Sequence, residues 1–247
     1  MAKTVKKTAK KAAAKKVTKK KITNLIIIDA SGSMADKLDE VKGGLKQLFS
    51  DIRKDMIKDK KNVNMRNIVL DFSGSEDIRT LVDSNDVNDL QDSLADNYRV
   101  RGMTALLDAI GKGMNMVDNN DYAVFVSILT DGEENDSKQY TSKDVTEMIK
   151  AAKDKKWVVT FMGTTEAAIN KAQSWGASRG NTMKFSNDSA GVKMSMKKCT
   201  LTRTAYYAAA TSTRGLDGAD EATLNSLLAN SKDDEDEKLN NVTNKTK

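Results

Sequence analysis

Two apolar runs, each leading into an aspartate, dominate the hydrophobic pattern of the chain. The first extends from Ile22 to Asp29 and is rich in β-branched residues, and the second extends from Tyr122 to Thr130, directly before Asp131. Such runs are typical of strands that are covered on both faces, as in a parallel sheet. We therefore predict two buried strands, each followed by a polar loop that starts with a carboxylate.

Helical periodicity follows the first strand. Apolar residues recur at spacings of three and four from Met34 to Met56, which predicts an amphipathic helix of about 25 residues. Gly43 and Gly44 weaken this helix by roughly 1 kcal/mol each relative to alanine, and we interpret them as a close approach of the helix to the sheet. Shorter stripes predict further helices that start near Asp86, Thr104, Thr141, Thr165 and Ser189.

The remaining strands are predicted from shorter runs. Residues 68–72 and 78–82 are separated by a turn at residues 73–75, which indicates an antiparallel hairpin, and residues 157–162 and 183–185 complete the set. Strands and helices that alternate in this order predict an α/β fold with an open, doubly wound, mostly parallel sheet and helices on both faces. Ligands of such sheets lie at the carboxyl ends of the strands.

Charge divides the chain into three parts. Residues 1–21 hold ten of the 41 basic residues and no acid, so the rest of the chain has 31 basic and 35 acidic residues. We predict a Lys-rich disordered tail over residues 1–21, a folded domain over residues 22–210 and a polar, acidic tail over residues 211–247. No apolar segment follows the lysines as in a secretory signal, and no run reaches the ~18 apolar residues of a membrane span. We therefore expect a cytoplasmic protein without membrane insertion.

The residue types that the chain lacks exclude several kinds of site. It contains one cysteine, Cys199, and no histidine. An intrachain disulfide, a Cys/His zinc site, and Ser-His-Asp or Cys-His catalysis are therefore excluded. A bound metal would have to be held by oxygen atoms, which favours Mg²⁺, Mn²⁺ or Ca²⁺. We interpret Cys199 as a small buried apolar residue.

Five oxygen-bearing side chains are candidates for such a metal site. Asp29 and Asp131 directly follow the two buried strands, so their carboxylates emerge at one edge of the sheet if these strands are neighbours. Ser31 and Ser33 flank Gly32 in the turn after Asp29, and Thr104 follows a glycine loop. The sequence therefore predicts a hard cation, with Mg²⁺ favoured, held by hydroxyls and carboxylates.

Three segments carry a family resemblance. Residues 29–33 (DASGS) resemble the Asp-x-Ser-x-Ser motif of von Willebrand factor A domains, residues 101–106 (RGMTAL) resemble their threonine loop, and residues 129–132 (LTDG) resemble their second aspartate loop. The resemblance covers about residues 22–210. It implies a doubly wound sheet with one antiparallel edge strand and a metal-ion-dependent adhesion site. Its hydroxyl ligands would be Ser31, Ser33 and Thr104, and its carboxylates, direct or through water, would be Asp29 and Asp131.

The resemblance also implies a function. We expect a non-enzymatic, metal-dependent module that captures an Asp or Glu carboxylate of a protein partner. A partner with an ATPase domain is one candidate, because stand-alone A domains of bacteria and phages often resemble accessory proteins of such enzymes. The chain itself has no G-x-x-x-x-G-K-[ST] motif for nucleotide hydrolysis. We interpret the acidic run Glu133, Glu134 and Asp136 as a solvated loop and not as a selectivity rim.

Two other functions stay open at this stage. The ten lysines of residues 1–21 would give salt-sensitive, sequence-independent binding to nucleic acid, with the folded domain as a scaffold. A metal-dependent phosphatase with Asp29 as nucleophile is disfavoured, because Ser31 stands where an aspartyl-phosphate enzyme of the haloacid-dehalogenase kind needs a second acid. The sequence does not predict the oligomeric state.

Overall fold

A six-stranded sheet forms the centre of the molecule in the computed structural model, which describes residues 19–59, 63–131, 134–184, 189–212 and 214–216. The strands are β1 (Lys20–Asp29), β2 (Val63–Phe72), β3 (Ile78–Ser84), β4 (Ala123–Thr130), β5 (Val158–Gly163) and β6 (Thr182–Lys184). Their order is β3-β2-β1-β4-β5-β6, and only β3 pairs antiparallel. The predicted mostly parallel sheet with one antiparallel edge strand is confirmed.

Helices cover both faces of this sheet, as predicted. They are α1 (Leu38–Asp59), α2 (Asp92–Asp96), α3 (Leu106–Met116), α4 (Ser142–Asp154), α5 (Glu166–Ser174) and α6 (Ser189–Thr211). Ile26 and Ile28 of β1 belong to the apolar cluster shared with α1 and α6. Leu25 and Ile27 belong to the cluster on the opposite face, shared with α3 and α4. The uninterrupted apolar run of β1 thus reflects a central strand that is buried on both sides.

Strand register brings the two predicted loops to one edge of the sheet. β1 lies between β2 and β4, and Ile28 is paired with Asp71 on one side and Leu129 on the other. Asp29 and Thr130 therefore end neighbouring parallel strands at the same level. Asp131 follows Thr130 directly, so the chain leaves both strands at this edge.

The prediction of one helix that starts near Asp86 was wrong, because the structure has two short helical segments there. Residues Val87–Asp89 form one turn of 3₁₀ helix, and α2 has only five residues. The Asp86 carboxylate accepts a hydrogen bond from the backbone N–H of Asn88, which closes a local turn in place of a longer helix. Arg53 of α1 donates to the carbonyl of Leu90, so the segment between the 3₁₀ turn and α2 is bonded to α1.

The interpretation of Gly43 and Gly44 was also wrong. A Cβ added at Gly44 would lie 2.9 Å from Cγ of Met196 in α6, whereas a Cβ at Gly43 would meet nothing within 4 Å. The close approach is therefore between α1 and α6, and not between α1 and the sheet. Gly44 alone has a steric reason to lack a side chain.

The first strand begins slightly before the predicted domain. β1 starts at Lys20, and the Nζ atom of this lysine donates a 2.6 Å hydrogen bond to the carbonyl of Ala210 and lies 4.4 Å from the Tyr122 ring centroid. Residues 1–18 and 217–247 lie outside the described residues. The predicted tails, and nucleic-acid binding through the first of them, therefore stay predictions. In the part of the chain that the structure describes, no helix is long and apolar enough to cross a membrane.

Candidate functional site

The Asp29 carboxylate is the buried centre of the candidate site. Its Oδ1 atom accepts a 2.8 Å hydrogen bond from the backbone N–H of Ser31, and its Oδ2 atom accepts a 2.7 Å bond from the hydroxyl of Thr130. Burial, and to a smaller extent the charge of Asp131, raises the pKa of Asp29 from 3.8 to about 6, against the lowering effect of the hydrogen bonds. The surroundings of Asp29 therefore disfavour its ionised form.

The serine turn, residues 31–33, is closed around this carboxylate. The Oγ atoms of Ser31 and Ser33 lie 3.1 Å apart, with Ser31 buried and Ser33 exposed. A 3₁₀ helix over Gly32–Lys37 follows, and the Nζ atom of Lys37 donates to the carbonyl of Ser33. The structure therefore brings three of the five predicted residues together within one short turn.

The threonine loop is joined to the serine turn, and to Ala30 directly before it, by backbone hydrogen bonds. The N–H of Gly32 donates to the carbonyl of Gly102 at 3.1 Å, and the N–H of Arg101 donates to the carbonyl of Ala30 at 2.6 Å. Thr104 is buried. It precedes α3 by two residues, with Ala105 at the N-cap, and so does not itself open the helix as predicted.

Thr104 is also held by the loop that follows Asp131. Its N–H donates to Oδ1 of Asn135 at 2.9 Å, and its carbonyl accepts from the N–H groups of Asn135 and Asp136 at 3.0 and 3.1 Å. Three loops, after β1, before α3 and after β4, are therefore joined by direct hydrogen bonds.

Asp131 supplies the second carboxylate. It is 6% exposed, and its Oδ1 atom is buried without a hydrogen-bond partner among the described residues. Gly132 and Glu133, the next two residues, lie outside those residues. Buried polar atoms are normally paired, so an unpaired carboxylate oxygen beside a second buried carboxylate fits a bound cation. No group of three or more acidic or cysteine side chains within the described ranges could hold a metal, so hydroxyls, backbone carbonyls or water would have to complete the donor set.

An ion-pair network that the sequence reasoning missed supports the threonine loop. The buried carboxylate of Asp71, near the end of β2, pairs with Arg79 at 2.5 Å and with Arg101 at 3.2 Å. Arg101 also pairs with Asp77, which accepts a 2.8 Å hydrogen bond from the hydroxyl of Ser73. The antiparallel hairpin thus fixes the start of the threonine loop. No local sequence signal joins residues this far apart in the chain.

The prediction of a solvated acidic loop was wrong for Glu134 and Asp136, whose carboxylates are hydrogen-bonded within the protein. Glu134 accepts from the N–H of Leu107, in the first turn of α3, at 2.9 Å and from the hydroxyl of Ser137 at 2.7 Å. Asp136 accepts from the N–H of Ser75 at 2.9 Å. Unpaired N–H groups at a helix start and in a turn attract carboxylates, which explains why these side chains turn inward. Glu133 lies outside the described residues.

Asp108 is a second acid that the sequence reasoning missed. Its carboxylate is buried in α3 and accepts 2.8 Å hydrogen bonds from the backbone N–H groups of Lys138, Gln139 and Tyr140. The loop after Asp131 is therefore fastened to the helix after Thr104. A charged residue within an otherwise apolar helical segment is the sequence signal that could have identified it.

Comparisons with solved structures show the same fold at low identity. The pilus adhesin SpaC from Lactobacillus rhamnosus GG matches with a TM-score of 0.58 and 15% identity, over 75% of this chain and 30% of that chain. Proximal thread matrix protein 1 from the mussel byssus matches with a TM-score of 0.54 and 14% identity, over 73% and 45%. This chain therefore spans less than half the length of either protein.

One isolated domain is matched over nearly its whole length. The vWF domain of the type V pili tip protein Mfa5 from Porphyromonas gingivalis has a TM-score of 0.56 and 9% identity, over 73% of this chain and 95% of that domain. One structure of the mussel protein has a zinc-occupied MIDAS motif. Identities this low establish a shared fold and no more.

The family follows from the sequence itself. No curated protein matches the chain significantly. The profile of the von Willebrand factor type A domain, however, matches residues 25–197, which is well over half of the chain. The match includes all three loops described above. This chain belongs to the von Willebrand factor type A domain family.

Proposed function

We propose that this chain is a protein-binding module that holds one divalent cation and captures a partner's carboxylate with it. The proposed ligands are Asp29, Ser31, Ser33, Thr104 and Asp131. The proposal is carried by one observation, the buried Oδ1 atom of Asp131, which has no hydrogen-bond partner in the described part of the chain and lies near the buried carboxylate of Asp29. Mg²⁺ is the proposed ion, with Mn²⁺ or Ca²⁺ as alternatives, because the donors are all hard oxygen atoms.

Hydrogen bonds within the protein orient several of the proposed ligands. Asp29 is oriented by hydrogen bonds to both of its oxygen atoms, and the hydroxyls of Ser31 and Ser33 lie side by side. Two carboxylates balance the charge of a divalent ion, while the hydroxyls add oxygen atoms without further negative charge. When bound, the cation supplies a positive centre with an open position for an Asp or Glu oxygen atom of the partner.

A binding role is better supported than catalysis. The chain has no histidine, so the usual general base is missing. Domains of this family typically serve in adhesion and interaction, and the structural neighbours include a pilus adhesin and a byssus matrix protein. We keep a partner with an ATPase domain and a cytoplasmic location as predictions from sequence alone.

Manganese binding tests the metal site directly. Free Mn²⁺ gives a six-line paramagnetic resonance spectrum that is lost on binding, so the remaining signal measures the free ions and the bound ions follow by difference from the total. We expect one bound ion per chain, and at least about tenfold weaker binding for Asp131→Ala and Thr104→Ala, since second-sphere changes alone already cost roughly that much. Glu147→Ala, an exposed acid on α4, should bind like the unchanged chain. Equal binding by all variants would refute the assignment.

Partner capture requires a second experiment. Immobilised protein should retain a carboxylate-bearing partner in Mg²⁺ and release it in chelator, and Thr104→Ala should retain none. Retention that is insensitive to both the chelator and Thr104→Ala would place the partner surface elsewhere on the domain.

A further inference from the structure

One large apolar side chain stands at the rim of the candidate site. Met103 is 52% exposed, and it is the only large apolar residue classed as exposed among the side chains that the structure describes. It directly precedes Thr104, a proposed ligand. Other methionines, such as Met34, Met114 and Met196, are buried in the core. Covering exposed apolar area with a partner is favourable for binding, and Met103 adjoins a proposed metal ligand in the chain.

The backbone on both sides of Met103 is fixed. The N–H of Arg101 donates to the carbonyl of Ala30, and the N–H and carbonyl of Thr104 are both bonded to Asn135. The N–H of Ala105 donates to the carbonyl of Ser73 at 2.7 Å. Met103 therefore projects from an anchored loop, and little order needs to be gained when a partner covers it.

Two glycines adjoin Met103, so the surface lacks bulky side chains at these positions. Gly102 precedes it, and Gly32 faces this loop with its N–H bonded to the Gly102 carbonyl. Both glycines are exposed and have no side chain that could shield Met103 or obstruct an approaching chain. Ser33 is the exposed hydroxyl beside them. Met103 and the Ser33 hydroxyl therefore both adjoin this hydrogen-bonded pair of glycines.

We infer that Met103 is a specificity-determining residue that selects a carboxylate with a large apolar side chain next to it in the partner's sequence. This inference rests on the proposed function. Consecutive Cα atoms are about 3.8 Å apart, so a partner whose acid reaches the site next to Thr104 brings the neighbouring residue over Met103. Methionine suits this role because its flexible, polarisable side chain adapts to different apolar shapes.

Two acetylated and amidated peptides test the preference. One has the sequence Gly-Gly-Glu-Gly-Gly and the other Gly-Leu-Glu-Leu-Gly, and the protein carries ¹³C-methyl methionine so that weak binding is measurable by NMR. The Met103 methyl resonance is assigned from Met103→Leu. In Mg²⁺ we expect about fivefold to tenfold tighter binding of the leucine peptide, with a shift of the Met103 resonance, and no binding in chelator. Met103→Ser should bind both peptides equally, and Met103→Leu should keep the preference.

The outcomes separate this inference from the function on which it rests. If Mg²⁺ raises the melting temperature but the peptides bind equally, or bind not at all, the role of Met103 is refuted and the metal site survives. A preference that persists in Met103→Ser would refute the role of Met103 in the same way. If Mg²⁺ leaves the melting temperature unchanged, the proposed function fails together with the inference.

Discussion

The hydroxyl of Thr130 donates a 2.7 Å hydrogen bond to Oδ2 of Asp29 and so joins the ends of the two central strands. The bond follows from the register, because Ile28 lies opposite Leu129 and the next residues are Asp29 and Thr130. Asp131 comes immediately afterwards. The position of the second carboxylate near the first is therefore a consequence of parallel pairing between β1 and β4, and not of the loops alone.

The raised pKa of Asp29 gives a pH-dependent stability in the presence of chelator. Its folded pKa of about 6 exceeds the usual 3.8, so the unfolded chain loses this proton first as the pH rises. The contribution of Asp29 to the free energy of unfolding should therefore fall between about pH 4 and about pH 6, by about 3 kcal/mol. Urea unfolding of the unchanged chain and Asp29→Asn measures this as a difference. Parallel pH curves for the two proteins would show that Asp29 has an ordinary pKa.

Asp108 should contribute more to stability than an exposed helix cap does. Asp108→Asn turns an amide nitrogen toward the N–H groups of residues 138–140, so donors lose their acceptor, and we expect a loss of about 3 kcal/mol. The matched control is Asp144→Asn, which weakens the exposed capping box of α4 and should lose clearly less stability than Asp108→Asn. Urea unfolding compares them. Equal losses would mean that the loop after Asp131 is not fastened to α3.

Gly43 and Gly44 provide a matched pair on α1. Gly43→Ala meets nothing within 4 Å and should raise the free energy of unfolding by about 0.5–1 kcal/mol through helix propensity. Gly44→Ala gains the same propensity but places its Cβ 2.9 Å from Cγ of Met196, so the net effect should be a loss of about 1–3 kcal/mol. Urea unfolding of both variants measures the difference. A stabilising Gly44→Ala would show that α1 and α6 can separate at little cost.

Arg101 should matter for metal affinity as well as stability. Arg101→Lys replaces a guanidinium that contacts both Asp71 and Asp77 with a single ammonium, which loosens the start of the threonine loop. We expect about 1 kcal/mol lower stability and several-fold weaker Mn²⁺ binding. Arg66→Lys is the control, because Arg66 makes a paired contact to Asp83 away from the site. Mn²⁺ affinity that falls equally in both variants would indicate a general destabilisation.

The features that the sequence predicted best are those that depend on residues close together in the chain. The run from Ile22 to Asp29 predicted a doubly covered strand, and the pattern after Thr141 predicted the start of a helix there, because periodicity and capping depend on neighbours in the chain. The serine turn was likewise predicted from a local motif, residues 29–33. Cys199 was predicted to be buried and is.

The features that were missed depend on tertiary contacts. Glu134 bonds the first turn of α3 and Asp108 bonds a loop some 30 residues away, and neither partner is encoded near the acid. Gly44 accommodates Met196, which lies far along the chain in α6. The segment after Asp86 has enough apolar residues for a helix, but a local turn and Arg53 override that periodicity.

Thermal unfolding in Mg²⁺ tests the metal site most directly. A ligand that binds only the folded chain stabilises it by about 2.7 kcal/mol at roughly 100 times its dissociation constant, which for a domain of this size is a rise of about 5 °C or more in Tm. We predict this rise for the unchanged chain and for Glu147→Ala, and its loss in Asp131→Ala. An unchanged melting curve of the intact protein in millimolar Mg²⁺ and in millimolar Mn²⁺ would contradict the metal site.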